Sequence, residues 1–294
     1  MAWRTSDIGD LSGRRAVVTG ATSGIGTVTA RVLAEHGADV VITARDDRKA
    51  AETLRHVDAE VVSLDLADLA GTVSAAQALV DAGRPIDILV NNAGVMIPPF
   101  TRTGDGFELQ IATNHLGHFA WTATLWPLLR GGARVVTVSS LAHSMTDGID
   151  LRSLEPNGDP RPYSNWRSYA ESKLANLLFM KELDRRVKAA GLPVVSVAAH
   201  PGVSSTGLTR TSGLAVAQIT RLISQSATAG AWPSLMAATD PALTGGEYVG
   251  PGGFRQARGR PKLVGMTKAA RDADLAAAVW EASQTATGVS FDLA

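Results

Sequence analysis

The sequence predicts a single α/β domain, a doubly wound parallel sheet with helices on both faces. Three observations carry that expectation. Six short runs rich in Val and Ile recur, at residues 16–19, 39–43, 60–64, 86–90, 134–138 and 193–197. They do not alternate apolar with polar residues, as expected of strands buried on both faces. Ala/Leu-rich stretches with helical character lie between them, at 27–36, 69–81, 110–129 and 171–190. Strand and helix in repeated alternation imply right-handed crossovers and a parallel sheet. The first run also leads directly into a glycine-rich turn and a helix, the layout of a phosphate-binding strand–helix unit.

The chain has 294 residues, 45% of them hydrophobic, long enough for one large core. It carries no solenoid-type repeat and no low-complexity linker, so residues 1–294 read as one domain. The 28 basic residues are balanced by 28 acidic ones. That balance argues against nucleic acid or an anionic membrane as partner. Cysteine is absent, which removes disulfides, thiolate catalysis and cysteine-ligated metals. The start of the chain lacks the apolar core of a signal peptide. No apolar run approaches the roughly 18 residues expected of a spanning helix. A soluble, cytoplasmic protein without a membrane anchor is the expectation.

In chain order, the first strand ends in Thr19-Gly20-Ala21-Thr22-Ser23-Gly24-Ile25-Gly26. Its glycines permit a tight turn and close approach of a phosphate, and the following helix offers free N–H groups. The second strand ends at Thr43-Ala44-Arg45. An acid at this place would receive the ribose 2′-hydroxyl of NAD, whereas a guanidinium suits the 2′-phosphate of NADP. NADP(H) is therefore favoured over NAD(H), with Asp46 and Asp47 left to cap the next helix. Residues 147–167 hold Pro156, Gly158, Pro160 and Pro162 and read as a loop. Together with residues 204–226, where Gly207 and Gly213 mix with Leu208, Leu214 and Ile219, this loop is expected to shape a ligand site. The two substrate-loop segments thus fall near 144–168 and 204–226. Tyr169 and Lys173 lie about one helical turn apart, so both project from one face. A nearby ammonium favours a phenolate, and a tyrosine so tuned can serve as acid or base.

These residues resemble the short-chain dehydrogenase/reductase family, and the resemblance keeps the family's motif order along most of the chain. The glycine motif at residues 19–26 comes first, and Asp65-Leu66 looks like the family's adenine contact. Asn91-Asn92-Ala93-Gly94 resembles its Asn-Asn-Ala-Gly, and Asn114 its helix asparagine. Ser139-Ser140, Tyr169 and Lys173 follow, and Pro201-Gly202-Val203-Ser204-Ser205-Thr206 matches its Pro-Gly-x-x-x-Thr. Val138-Ser139-Ser140-Leu141-Ala142-His143, the long insert before Tyr169 and Ser172-Lys173-Leu174-Ala175-Asn176 look most like the retinol dehydrogenase and WW-domain oxidoreductase branch. The chain departs from the vertebrate retinol enzymes in its N-terminus, which lacks their hydrophobic anchor. Ser23 also stands where many NADP-preferring members carry a basic residue.

The resemblance implies a Rossmann-type oxidoreductase that exchanges a hydride between nicotinamide and a carbonyl or secondary alcohol, here a hydrophobic small molecule. Tyr169 is then the general acid/base. Lys173 assists it and binds the nicotinamide ribose, Ser140 holds the substrate oxygen, and Asn114 holds a water. Gly20, Thr22, Ser23, Gly24, Ile25, Gly26, Arg45, Asp65, Leu66, Asn92, Ala93 and Gly94 would bind the cofactor with Tyr169 and Lys173. Pro201, Gly202, Val203 and Thr206 would hold its carboxamide end. Neighbouring residues at a strand end point opposite ways, so only one of Ser139 and Ser140 can face the site. Association into homodimers or homotetramers through the Asn114 and Tyr169 helices is also implied. Two other readings stay open: a catalytically silent nucleotide-sensing protein on the same fold, and an epimerase- or dehydratase-type member.

Other signals carry less. His115 and His118 have no Cys or obvious carboxylate to complete a metal shell, so no metal is expected. His200 reads as a strand-end structural residue and His143 as a substrate contact. Trp121 and Trp126 read as core or subunit-interface residues. Arg255, Arg258, Arg260 and Lys262 read as a solvated loop.

Overall fold

The structure is a computed structural model, and it describes residues 3–159, 161–203 and 225–293. Among these, eight strands form one sheet in the order β3-β2-β1-β4-β5-β6-β7-β8. The six expected strands are β1 (Arg15–Val18), β2 (Asp39–Ala44), β3 (Glu60–Ser63), β4 (Ile88–Asn91), β5 (Arg134–Val138) and β6 (Val195–Ala199). All six pair in parallel. β7 (Tyr248–Pro251) extends the parallel series, and β8 (Pro261–Leu263) closes the sheet antiparallel to it. These two were not expected, because Tyr-Val-Gly-Pro and Pro-Lys-Leu are too short and too glycine- and proline-bearing to stand out by pattern. The β1, β4 and β7 strands are buried throughout, whereas β3 exposes Glu60 and Ser63. Strand order reverses between β1 and β4, and ligands of such sheets sit at that switch point, outside the strands' C-terminal ends.

Helices α1 (Gly24–Glu35), α2 (Asp47–Thr53) and α3 (Leu69–Ala82) follow the first three strands. Asp46 caps α2 by accepting from the Lys49 N–H at 3.1 Å, as its placement suggested. The long helix expected over 110–129 is broken into four pieces. They are α4 (Leu109–Ile111), a π turn (Ala112–Leu116), α5 (Gly117–Thr124) and α6 (Trp126–Leu129). A π turn widens the helix by one residue, a device frequent at functional sites, and Asn114 stands at its centre.

The insert is not featureless loop. A short 3-10 turn at Leu141–Met145 leads into it, and it holds another at Leu151–Leu154. Arg161 ties it to the next helix by donating to both Glu171 carboxylate oxygens, at 2.9 and 3.0 Å. That helix, α7 (Asn165–Ala189), begins earlier than the apolar pattern suggested, because Ser164 caps it by accepting from the Arg167 N–H. α8 (Ala227–Thr239) and α9 (Ala273–Thr287) complete the helical layers.

The α9 helix bears on how copies could associate. It packs along α7, with Trp280 stacked on Phe179 at 5.7 Å and edge-on to Phe119 at 5.2 Å. Phe291 joins this group at 4.6 Å from Trp280. Every residue from Tyr169 to Met180 and from Gly117 to Ala123 is buried. The helices expected to pair with a second copy therefore keep no exposed face along those stretches. Trp121 and Trp126 are core residues of the same layer.

Candidate active site

A cleft of about 1740 Å3 runs along the C-terminal ends of the strands. The turn after β1 and the first turn of α1 line it through Gly20, Thr22, Ser23, Gly24, Ile25 and Gly26. Gly20 sits at φ +66°, and a Cβ there would come within 2.8 Å of the Ala93 Cα. The loops after β1 and β4 thus close on each other in a way only glycine permits. Ser23 is the N-cap of α1, but its side chain makes no capping bond, which leaves the first N–H groups of α1 for another acceptor. Asn92, Ala93 and Gly94 line the same stretch, and so do Asp65, Leu66 and Arg45. The Arg45 guanidinium is exposed and approaches the Asp65 carboxylate at 3.7 Å. Pro201, Gly202 and Val203 also line it. Thr206 and the apolar stretch beyond it lie outside the described residues.

Ser140, Tyr169 and Lys173 all line the same cleft. The Ser139 hydroxyl turns away and donates to the Lys173 carbonyl at 2.7 Å, so the second serine of the pair is the one free for the site. Ser140 opens the 3-10 turn that follows β5 and accepts from the Ala142 N–H at 3.2 Å. Lys173 is buried, with its ammonium 5.9 Å from the Tyr169 ring centroid and donating to the Val138 carbonyl at 3.2 Å. Burial pulls the Lys173 ammonium down to about 8. The expectation that Lys173 draws the Tyr169 phenol down is not what this arrangement gives. Burial pushes the Tyr169 phenol up, opposed by its hydrogen bond to Ser140. The ammonium is spent on a carbonyl rather than on the phenol, so desolvation dominates.

Asn114 does not reach the cleft. It is fully buried behind it, where its amide bonds the Val95 backbone in both directions, at 2.8 and 3.0 Å, and donates to the Ser172 hydroxyl at 3.0 Å. A Cβ on Gly94 would stand 3.0 Å from the Asn114 Oδ1 and 3.4 Å from the Lys173 Nζ, so this glycine lets the loop after β4 lie against both.

Two residues matter that sequence reasoning did not select. The Thr19 hydroxyl accepts from the Asn92 and Ala93 N–H groups at 2.9 and 3.0 Å. Its own proton is then left for the His118 Nε2, 2.8 Å away. The His118 Nδ1 faces the Asn114 carbonyl at 3.1 Å and must donate to it, so this ring is neutral and singly protonated on Nδ1. Burial holds His118 down at about 4, consistent with that state. His115 faces another way, toward the Ser283 hydroxyl at 2.7 Å. The only sequence hint of this clamp was Thr at the last position before the glycine turn.

The two site histidines are also structural. His143 bonds the Ser140 carbonyl through Nδ1 at 2.7 Å and is not part of the cleft wall, which corrects its reading as a substrate contact. His200 accepts from the Gly202 N–H at 3.1 Å and so holds the Pro201-Gly202 turn, in keeping with a strand-end structural role.

Ser140, Tyr169 and Lys173 thus share one cleft at the C-terminal ends of a doubly wound sheet, and comparison with known proteins gives the family. The family model for short chain dehydrogenases matches residues 14–148. The chain is 41% identical over 256 residues to polyprenol dehydrogenase of Mus musculus, covering 81% of this chain and 75% of that protein. It is 40% identical over 219 residues to retinol dehydrogenase 11 of the same species, covering 71% of this chain and 67% of that protein. Among solved structures, it resembles an uncharacterized protein of Mycobacterium paratuberculosis at 42% identity and a TM-score of 0.82, over 99% of both chains. The chain belongs to the short-chain dehydrogenase/reductase family, within its retinol dehydrogenase-like branch, whose members are NAD(P)-dependent oxidoreductases. No helix among the described residues is long and apolar enough to cross a membrane.

Proposed function

We propose that this protein is an NADP(H)-preferring oxidoreductase that interconverts a hydrophobic carbonyl compound and its secondary alcohol, with Tyr169 as general acid/base. The observation that carries the reading is that Ser140, Tyr169 and Lys173 line the same cleft as the glycine turn. A dinucleotide fits the residues present. Gly20 allows the close approach at the turn, the start of α1 can receive a phosphate, and Arg45 in the same cleft offers a guanidinium to a 2′-phosphate.

A bound nicotinamide supplies or accepts the hydride. The protein's part is alignment and proton transfer. Ser140 donates to the substrate oxygen and sets its angle, and Tyr169 donates its proton to that oxygen during reduction and removes it during oxidation. Burial that raises the Tyr169 phenol keeps it protonated at neutral pH, the state needed to act as an acid in reduction. Lys173 would hold the nicotinamide ribose. Asn114 fixes Val95 and, through Ser172, the start of the Tyr169–Lys173 turn.

The apolar wall of the other half, built by Met96, Ile97, Pro99, Leu141, Met145 and Trp166, supports a hydrophobic substrate. The polyprenol and retinol named for the two mouse relatives point the same way. The sensor and the epimerase or dehydratase readings are less favoured, because the oxidoreductase relatives match over most of the chain. A cytoplasmic location belongs to the same proposal. Association of copies into a homodimer or homotetramer belongs to the same proposal, and it uses surfaces other than the buried stretches of α5 and α7.

The test is calorimetric titration with NADPH and NADH, followed by a carbonyl screen with the preferred cofactor. NADPH is expected to bind more tightly, Arg45→Ala to remove most of that difference, and Tyr169→Phe to abolish turnover while sparing cofactor binding. Tighter NADH binding overturns the cofactor assignment, and wild-type turnover in Tyr169→Phe overturns the mechanism.

A further inference from the structure

The loop after β4 forms one wall of the substrate half of the cleft and contains an unusual residue. Ile97 lies at φ +55°, in the left-handed region. For a β-branched residue this is a true outlier, and the following Pro98 restricts Ile97 further. Such a conformation persists only where the surroundings over-determine it. The surroundings here are specific. The Ile97 N–H donates to the Gln110 Oε1 at 2.8 Å. The Pro98 carbonyl accepts from the Tyr163 hydroxyl at 3.1 Å.

Gln110 is fully buried and acts as a junction. Its amide nitrogen donates to the Tyr163 hydroxyl at 3.2 Å and to the Asn165 carbonyl at 3.0 Å. Tyr163 and Asn165 belong to the end of the insert and the start of α7, just before Tyr169. Gln110 and Asn114 are four apart, on either side of the entry to the π turn, and they hold Ile97 and Val95, which are two apart on the loop. Two amides therefore fasten two positions of one loop. The rung at Val95 belongs to the proton-transfer centre. The rung at Ile97 connects the substrate wall to the insert. Phe100 packs on Tyr163 at 5.0 Å between ring centroids and extends the same contact.

We infer that Gln110 and Tyr163 are positioning residues for substrate selection: they hold Ile97 in its left-handed conformation, and through them the insert before Tyr169 sets the shape of the apolar wall. The inference rests on the reaction proposed above. It assigns the insert a task, which is to lock the wall of the cleft rather than to touch the reacting atoms. Tyr163→Phe keeps the ring against Phe100 and removes the hydroxyl that both receives from Gln110 and donates to Pro98. Ile97→Gly keeps the backbone conformation without strain and removes the wall.

Two measurements test this. With the best apolar carbonyl from the screen, Tyr163→Phe and Gln110→Ala are expected to raise KM about tenfold and leave kcat and the NADPH Kd near wild type. In an Ile97→Gly background, Tyr163→Phe should add nothing further, because the wall it positions is gone. A fall in kcat at constant KM, or multiplication of the two effects in the double variant, overturns the inference. Hydrogen exchange gives a readout that needs no substrate. The Ile97 amide should exchange faster in Tyr163→Phe and Gln110→Ala, while the Val95 amide, held by Asn114, stays protected. Unchanged protection at Ile97 overturns the inference even if no carbonyl is turned over, whereas absent turnover with the expected exchange overturns only the proposed reaction.

Discussion

Replacing Lys173 by methionine should stabilise the protein while removing its activity. Lys173 is buried, and burial lowers its ammonium from 10.5 to about 8. The folded chain therefore holds this proton less tightly than the unfolded chain. Below pH 8 both states are protonated and the full penalty acts. Between pH 8 and 10.5 the folded state sheds its proton first and the penalty fades as pH rises. At about 1.4 kcal/mol for each factor of ten, the cost at pH 7 is about 3 kcal/mol. Methionine matches the stem without the charge. The Val138 carbonyl that Lys173 bonds stays satisfied by the Asn176 amide at 3.0 Å, so no buried acceptor is orphaned. Lys173→Met should thus gain up to about 3 kcal/mol at pH 7, or several degrees in Tm for a domain of this size. By pH 10 the gain should shrink to about 1 kcal/mol. Chemical denaturation of the cofactor-free protein at the two pH values measures it, and a coupled assay reads the lost turnover. A variant less stable than wild type at pH 7, or a gap equal at both pH values, would refute the reasoning.

Acid should weaken the fold earlier than its carboxylates alone require. His115, His118 and His200 are held by burial at about 3, 4 and 4. Each is a base with a lowered folded value, so the unfolded chain takes up protons first and stability is lost as pH falls from 6.5 toward 4. At pH 5 each should cost about 2 kcal/mol, visible as a falling urea midpoint; a midpoint constant from pH 6.5 to 5 would contradict it. The serine pair gives a sharper contrast. Ser139→Ala should lower stability by about 1 kcal/mol through the lost bond to the Lys173 carbonyl and keep its turnover. Ser140→Ala should lower turnover at least about 100-fold, and the reverse pattern would mean that the wrong serine faces the substrate.

Most of the sheet could be read from the chain because parallel strands buried on both faces leave long apolar runs, as at β5, where expectation and structure agree to the residue. The cofactor turn could be read for a related reason. Close approach admits few residues, and Gly20 and Gly26 stand where a side chain would collide. What escaped was fixed by contacts distant in sequence. No local pattern tells that Asn114 lies in a π turn, that Thr19 is clamped by His118, or that α9 covers α7. The pKa of Tyr169 was misjudged for the same reason. Spacing placed Lys173 beside it correctly, but the depth of burial and the Val138 carbonyl that takes the ammonium are tertiary facts.

The Thr19–His118 clamp explains why the two halves of the site keep a fixed relation. Thr19 begins the cofactor turn, and its hydroxyl gathers the N–H groups of Asn92 and Ala93 from the loop after β4. His118 passes that contact on to the carbonyl of Asn114. Asn114 in turn holds Val95 and Ser172, the neighbour of Lys173. One chain of hydrogen bonds therefore runs from the glycine turn to the Tyr169–Lys173 pair without using the cleft itself. It requires a neutral imidazole, because a protonated ring could not accept from Thr19. The burial that keeps His118 neutral at physiological pH is thus a condition of the geometry. Tyr169 and Lys173 sit at the far end of this chain, and their alignment with the glycine turn depends on a histidine buried outside the cleft lining.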